Sequence, residues 1–409
     1  MMDSSNSSRK RKDALEMRRV GEAHMQDSID LLNYVFQVTN QDVSQIGARQ
    51  MLEWKKPIIK SCDVIGWFSD NKLISQIAVY PFSVNIHGRA FKMGGVTGVG
   101  TYPEYASLGL MNDLMKESLT SMRARGQTIS YLFPYSIPYY RKKGWEIISD
   151  VISYSVRDTQ LPKAYEVPGR IERVDFDHKD IRTAYKHFSH KENAAMIRND
   201  LAWVEHFKWE KDELTACIYY DAHDTPTGYM YYKVENETFY VKEMIFINEE
   251  ARRGIWNFIR AHFSMVYHIK GKIFTNEPLS FFLEDSEIEE KISPYYMARI
   301  VDVQAFLSAF PFTKHATESF TMHVTDPMLE WNNGTFNISF DEETCVTATD
   351  LSADKADVQT DVQTLVTMLL NYKRASDLKE IGRLHADDDH VAYLENIIPD
   401  NQPWFSDYF

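Results

Sequence analysis

Between residues 94 and 109 the sequence places five glycines, with β-rich segments on one side and an amphipathic helix on the other. The stretch runs Gly94-Gly95-Val96-Thr97-Gly98-Val99-Gly100-Thr101, then Tyr102-Pro103-Glu104-Tyr105. A helix follows from about Leu108 to Arg125, with Leu110, Met111, Leu114, Met115, Leu119 and Met122 at helical spacing. A strand that ends in Val99-Gly100-Thr101 and turns into a helix presents backbone N–H groups at a positive helix end. That geometry holds a pyrophosphate without a dedicated side chain. No Gly-Lys-Ser/Thr follows, so this is not a Walker loop. The preceding segments, Asp63–Phe68, Lys72–Tyr80, Ser83–Ile86 and Ala90–Met93, are broken by Asp70-Asn71 and His87-Gly88. They read as an antiparallel meander, not as the βαβ unit of a dinucleotide fold. Spacing alone favours an ordinary strand-to-helix turn.

The chain ahead of this unit opens on a polar, Ser-rich stretch containing Arg9-Lys10-Arg11-Lys12, expected to be a disordered arm over 1–17. Helices are expected over 27–37 (Ile29, Leu31, Leu32, Val35 and Phe36) and 48–54. After Gly126 come a strand over 128–133 and a short helix over 139–143 before Gly144. A fainter echo follows: a strand over 239–246, a turn over 248–254 and a helix over 255–266. Aligned on Gly109 and Gly254, it reads as a diverged duplication. A third region has strands over 318–340 with a turn at Asn332-Asn333-Gly334, a helix over 361–372 and an apolar segment over 391–398. The last residues, Gln402-Pro403-Trp404-Phe405-Ser406-Asp407-Tyr408-Phe409, are aromatic where chain ends are usually polar and frayed, so they are expected to dock. The expected domains are 18–157, 158–297 and 298–409.

Composition narrows the functional classes. With 59 acidic and 45 basic residues the net charge is -14, a poor match to nucleic acid and a better one to cationic substrates. No run approaches the ~18–20 apolar residues that span a bilayer. Cys62, Cys217 and Cys345 are odd in number and widely spaced, which offers neither a disulfide framework nor a metal knuckle. With no leader-like opening, a cytoplasmic protein is expected. His385-Ala386-Asp387-Asp388-Asp389-His390 lacks a metal-ligand spacing and reads as a solvated acidic loop; no metal is expected.

Two motifs carry a family resemblance. Val99-x-Thr101-x-Pro103-Glu104-Tyr105-x-x-x-Gly109-Leu110-Met111 and Ser136-Ile137-Pro138-Tyr139-Tyr140-x-x-x-Gly144-Trp145-Glu146 resemble the GNAT N-acetyltransferases. Within these, the chain is similar to the Eis (enhanced intracellular survival) branch and its Gram-positive members. The resemblance spans nearly the whole chain, including Glu330-Trp331-Asn332-Asn333-Gly334 in the third region and the aromatic last residue. It implies an α/β (α+β) architecture: tandem GNAT folds, each a mixed, mostly antiparallel sheet with flanking helices, then a sterol-carrier-protein-like α/β domain.

The resemblance also implies a chemistry. Acetyl-CoA is the co-substrate and a cationic primary amine, aminoglycoside- or polyamine-like or a lysine, is the acceptor. The pyrophosphate is expected on the backbone of Ser107, Leu108, Gly109, Leu110, Met111 and Asn112, and the pantetheine along Val99, Gly100 and Thr101. Tyr135 and Ser136 are expected to add contacts. Tyr140 is the general acid, with Tyr139 its rival, and the terminal carboxylate of Phe409 is the general base, acting through water. Asp407, beside that carboxylate in sequence, is placed equally to help fix the amine or to be solvated at the surface, and Tyr34 and Phe36, candidates for lining the amine's pocket, read first as core aromatics of a helix. One departure stands out: the family shows Arg or Gln three residues before the loop glycine, and this chain has Ala106-Ser107-Leu108. The second copy keeps Arg252-Arg253-Gly254 without a Tyr-x-x-x-Gly motif downstream, so no turnover is expected there. Self-association is implied, since relatives form hexamers or smaller assemblies. The alternative is a non-catalytic CoA- or lipid-binding protein.

Overall fold

In the computed structural model of the protein, residues 12–38, 56, 59–208, 210–274, 278–340 and 344–409 are described; the helix expected over 48–54 lies outside them. The first unit contains β1 (Glu16–Arg19), α1 (Met25–Val35), β2 (Asp63–Ser69), β3 (Lys72–Ile86), β4 (Arg89–Thr101), α2 (Leu110–Ala124), β5 (Ile129–Leu132), α3 (Ile137–Arg141) and β6 (Glu146–Ile147). The second contains β7 (Asp150–Arg157), β8 (Arg170–Val174), α4 (Lys179–Lys191), α5 (Asp200–Phe207), β9 (Thr215–Tyr220), β10 (Pro226–Glu235), β11 (Thr238–Phe246), α6 (Glu249–Arg260), β12 (His268–Ile273) and β13 (Glu289–Pro294). After β14 (Met297–Ile300) the third unit holds α7 (Val303–Ala309), β15 (Phe320–Thr325), β16 (Gly334–Phe340), β17 (Thr344–Thr349), β18 (Val358–Asp361), α8 (Val362–Leu369), α9 (Ala375–Glu380), β19 (His385–Ala386) and α10 (Asp388–Ile397). None of the described helices is long and apolar enough to cross a membrane.

Among the described residues three sheets result, ordered β1-β2-β3-β4-β5-β14-β6, β13-β7-β12-β11-β10-β9-β8 and β17-β16-β15-β18-β19. The first two exchange strands across the boundaries expected at 157 and 297. β7 pairs with β12 and β13 of the second sheet. β14 returns to the first sheet between β5 and β6. All four β14 residues are buried, so the strand needs cover on both faces and finds it in a sheet interior. Its Arg299 pairs with Asp326 of the third unit and donates to the Lys143 carbonyl, clamping three segments together. Gly144 sits against that guanidinium at φ +91, where a Cβ would lie 2.1 Å from Arg299 Nη1. The glycine of the Tyr-x-x-x-Gly motif is therefore set by a strand far along the chain.

Other expectations shift for equally local reasons. Glu16 and Met17, expected in the disordered arm, belong to β1 and pair with Phe68 and Trp67. Gly94 and Gly95 lie inside β4, where side chains fill the space on both faces. A Cβ at Gly94 would be 2.5 Å from Met122 of α2, and one at Gly95 would be 2.8 Å from the Phe409 ring. α2 covers one face of the first sheet, its Leu114, Met115, Leu119 and Met122 packing with Ile77, Val79 and Val96. α1 and the aromatic tail share the core on the opposite face. In the second unit the helix starts at Glu249, so Gly254 is helical and not the counterpart of Gly109. Its Cβ would lie 2.1 Å from the Tyr219 ring, a packing requirement unrelated to a turn.

Candidate active site

The site begins where β4 and β5 separate. They pair in parallel from Met93↔Ile129 to Val96↔Leu132. Past Val96, β4 runs on to Thr101 paired only with β3, through a bulge between Gln76 and Ala78 with Gly98 at φ +55. On the β3 side the carbonyls of Gly98 and Gly100 accept from Gln76 Nε2 (3.3 Å) and Ser75 Oγ (3.2 Å), and Thr101 Oγ1 meets Ser75 Oγ at 2.6 Å. The other edge of Val99, Gly100 and Thr101 has no strand partner among the described residues.

That open edge leads into a helix start of the same kind. Pro103–Leu108 forms a 3-10 turn, Gly109 takes a left-handed conformation at φ +71, and α2 begins at Leu110 instead of Leu108. No side chain caps the helix. Asn112 N–H reaches the Gly109 carbonyl at 3.0 Å, while among the described residues the N–H groups of Gly109, Leu110 and Met111 meet no protein acceptor. Ser107 is exposed and Leu108 is buried against Ile74 and Leu110. Unclaimed amides at the positive end of a helix fit the pyrophosphate of CoA.

A cation also stands here that the sequence reasoning passed over. Lys143 Nζ donates to Asn112 Oδ1 and lies 4.6 Å from the Tyr139 ring centroid. The residue is 7% exposed, and burial holds its ammonium below the ordinary lysine value. A buried cation beside a positive helix end is unfavourable until an anion joins it. Asp113, in the same helical turn, is paired with Lys12 at 2.5 Å. The signal in the sequence was Lys142-Lys143 next to Gly144, a segment read only for its tyrosine and glycine.

Tyr140, on α3, is buried with its ring 5.2 Å from Tyr139 and 6.2 Å from Trp145. Burial first, and Tyr139 second, push its phenol well above the ordinary value, so it carries a proton. Tyr139 is more exposed and also raised by burial. Tyr135 is 94% exposed, and Ser136 begins α3 without a side-chain capping bond.

On the opposite face of the sheet lies the tail. Trp404 packs on Phe188 (4.9 Å) and Phe246 (5.6 Å), and Phe405 on Tyr296 (4.5 Å) and Tyr131 (5.2 Å). The Phe409 ring meets Phe82 at 5.2 Å and Tyr296 at 5.4 Å, and its N–H donates to Tyr296 Oη at 3.2 Å. Tyr140 and Phe409 thus belong to cores on opposite faces of the sheet whose strands separate after Val96 and Leu132.

Asp407 is not available to a substrate, contrary to the expectation. It accepts from Arg198 Nε (2.7 Å) and Tyr185 Oη (3.0 Å). Arg198 also bridges Glu243 at 2.5 Å, and His206 Nε2 reaches the same carboxylate at 3.0 Å. Against the pull of burial, Arg198 and His206 hold Glu243 well below the ordinary carboxylate range. Burial, then Arg198, lower His206, which leaves Nδ1 free to accept the Tyr408 N–H at 3.2 Å. The tail is seated by charges from the second unit. Tyr34 and Phe36 do not join it: both are exposed, and Tyr34 packs on Tyr102 at 5.5 Å. Asp387 caps α10 by accepting from His390 N–H at 2.8 Å, which accounts for the polar run there.

The second unit repeats the strand separation in a different state. β11 and β12 pair from Thr238↔His268 to Tyr240↔Lys270 and then diverge. The helix that follows is capped: Asn248 Oδ1 accepts from Ala251 N–H at 2.8 Å, and Glu249 and Glu250 occupy the first turn. Asn401, Gln402, Trp404 and Ser406 of the tail line the adjoining cavity of about 550 Å³.

Comparison with known proteins agrees with this architecture. Residues 16–148 match an acetyltransferase (GNAT) domain family, residues 194–300 a second one, and residues 303–406 a sterol carrier protein domain. A conserved protein of Enterococcus faecalis V583 is 27% identical and superposes with a TM-score of 0.88 over 97% of this chain and 100% of its own. Eis1 of Mycobacterium abscessus shares the fold, with a TM-score of 0.79 at 18% identity over 97% of this chain and 100% of its own. An uncharacterized N-acetyltransferase of Streptomyces avermitilis is 20% identical over 98% of this chain and 100% of its own length.

Proposed function

We propose that this GNAT-family N-acetyltransferase, two GNAT domains followed by a sterol carrier protein domain, is an Eis-like enzyme that moves the acetyl group of acetyl-CoA to a primary amine. The observation that carries the reading is the continuity of the unpaired β4 edge at Val99–Thr101 with the uncapped start of α2. One suits the amides of pantetheine and the other the pyrophosphate. Lys143 supplies the positive charge that Ala106-Ser107-Leu108 lacks.

The transfer is direct, within a ternary complex. The acceptor is an ammonium with a pKa near ~10 in water and must lose a proton before it attacks. The reading takes Phe409 as the chain's own last residue. Its α-carboxylate, with an ordinary pKa of ~3.5, is ionised and removes that proton through water. As the amine nitrogen bonds to the acyl carbon, a backbone N–H of the open β4 edge meets the oxyanion. The C–S bond then breaks, Tyr140, kept protonated by its burial, gives its proton to the CoA thiolate, and the second proton of the former ammonium leaves the amide nitrogen to restore the phenol through water.

Acetyl-CoA-dependent release of free CoA, measured over polyamines, aminoglycosides and lysine peptides, tests the reading. Turnover supports it. A protein that binds acetyl-CoA or an apolar ligand yet releases no CoA with any amine is the non-catalytic carrier instead.

A further inference from the structure

Beside Ser406 and Tyr408 of the tail, the first and second units enclose a cavity of about 620 Å³. One wall is aromatic. Phe133, the residue after the last β5 pair, meets Tyr408 at 5.4 Å and Tyr295 at 5.7 Å. Both Phe133 and Tyr408 are more than 40% exposed, which leaves much of each ring uncovered. The facing wall is the open side of β10–β12 and carries Lys233, Lys242, Lys270 and Lys272.

These lysines are not equivalent. Lys233 is paired with Glu213 (3.0 Å) and Glu235 (3.2 Å), and Lys242 with Glu210. Lys270 and Lys272 are exposed, and among the described residues neither has a carboxylate partner. They oppose Ser155 and Ser153 of β7, so they lie two residues apart on one face, roughly 7 Å from each other along the strand. His206 also lines the cavity but is committed to Glu243 and to the Tyr408 N–H. In a chain of net charge -14, the space beside the transfer centre thus ends on two unneutralised cations. A polycation would be repelled there, whereas a carboxylate or phosphate would be held.

We propose that this cavity seats the far end of the acceptor, and that the acceptor is therefore an amine that also carries an anionic group, a carboxylate or a phosphate. The inference rests on the acetyl-transfer reading, because Tyr408, next to Phe409, joins the cavity to the reacting centre. Four acceptors built on one aminoalkyl chain and ending in phosphate, carboxylate, neutral amide or a second ammonium test it. They would be assayed with the full chain and with Lys270→Glu/Lys272→Glu. For the native protein, kcat/KM should favour the phosphate or the carboxylate over the amide by about tenfold or more, the scale of one charge-assisted hydrogen bond. Whichever of the two leads identifies the anion. In the double variant the preference should invert toward the diamine; an unchanged ratio would overturn the proposal. A ratio is insensitive to a partly folded variant. Binding of the phosphate-ended compound without its amine, measured by calorimetry on CoA-saturated protein, reads the site without turnover. Affinity that the double variant abolishes supports the anion site. If that affinity is present but no amine is acetylated, the transfer reading and the acceptor role both fall. Turnover without any such affinity overturns this proposal alone.

Discussion

The two GNAT units share a strand separation followed by a helix, yet they treat the helix start in opposite ways. In the first, Gly109 turns the chain without a capping side chain, and among the described residues the amides of Gly109, Leu110 and Met111 remain unclaimed. In the second, Asn248 caps the helix and Glu249 and Glu250 add negative charge where an anion would otherwise sit. One unit leaves its donors to a ligand, and the other satisfies them internally. The second unit instead offers Arg198, Glu243 and His206, the groups that hold the tail over the first sheet. On the proposed reading a duplicated fold divides its work: one copy holds the reacting groups and the other positions the end of the chain.

The sharpest way to break this comparison is to displace the tail's last group. A few residues added beyond Phe409 should lower kcat by ~10²-fold or more while calorimetric acetyl-CoA affinity stays unchanged, because the proposed CoA contacts lie on β4 and α2. Equal turnover in the extended chain would remove Phe409 from the mechanism. Tyr140→Phe should cost a similar ~10² in kcat, with the loss greatest for acceptors whose attack is fast and whose rate depends on thiolate departure.

Arg198→Met tests the positioning role of the second unit. It leaves Asp407 and Glu243 buried without their shared cation, at a cost of ~3–5 kcal/mol read as a lower melting temperature. Turnover should fall with it, while the acetyl-CoA KM holds. The pH dependence has a definite sign. Glu243 is depressed in the folded state, so its contribution is complete above the ordinary carboxylate range and is lost as the pH falls below it. Glu243→Gln, whose side chain does not titrate, should flatten the acid side of the stability profile.

Lys143→Met bears on the open helix start. Removing one charge-assisted contact to pyrophosphate should raise the acetyl-CoA KM about tenfold. Acetyl-pantetheine, which lacks the pyrophosphate, should show no change. Equal losses with both substrates would make Lys143 a structural residue of the Tyr140–Gly144 turn.

What could be read from the sequence follows the range of each interaction. The apolar spacing of α2 and the turn after β5 are local, and both elements appear within a few residues of expectation. Glycine's usual use is conformational, and nothing local to Gly94 and Gly95 says otherwise. Here its use is steric, and the steric partners, Met122 and Phe409, are distant in sequence. Asp407 looked free because the residue that neutralises it, Arg198, lies 209 positions away. The exchange of β7 and β14 left no local trace at all, since a strand's own residues do not name the sheet it joins. The open β4 edge and the uncapped helix start were legible because backbone geometry alone makes them. Lys143 was not, because its role depends on where α3 meets α2.

The smallest expected effect bears most directly on the division of labour. Asn248→Ala uncaps the helix of the second unit and should cost ~1 kcal/mol of stability. If that unit is only a scaffold, kcat, KM and a stoichiometry of one acetyl-CoA per chain should all stay as they are, because Glu249 and Glu250 still repel an anion. The counterpart change, Gly109→Ala, forces a side chain into the left-handed region at a comparable cost of ~1–2 kcal/mol, yet it should also raise the acetyl-CoA KM by tilting the open amides. Similar losses of stability with opposite consequences for binding would show that the difference between the two copies lies in what their helix starts leave unpaired. A second equivalent of acetyl-CoA bound by Asn248→Ala would show instead that a single cap hides a working site.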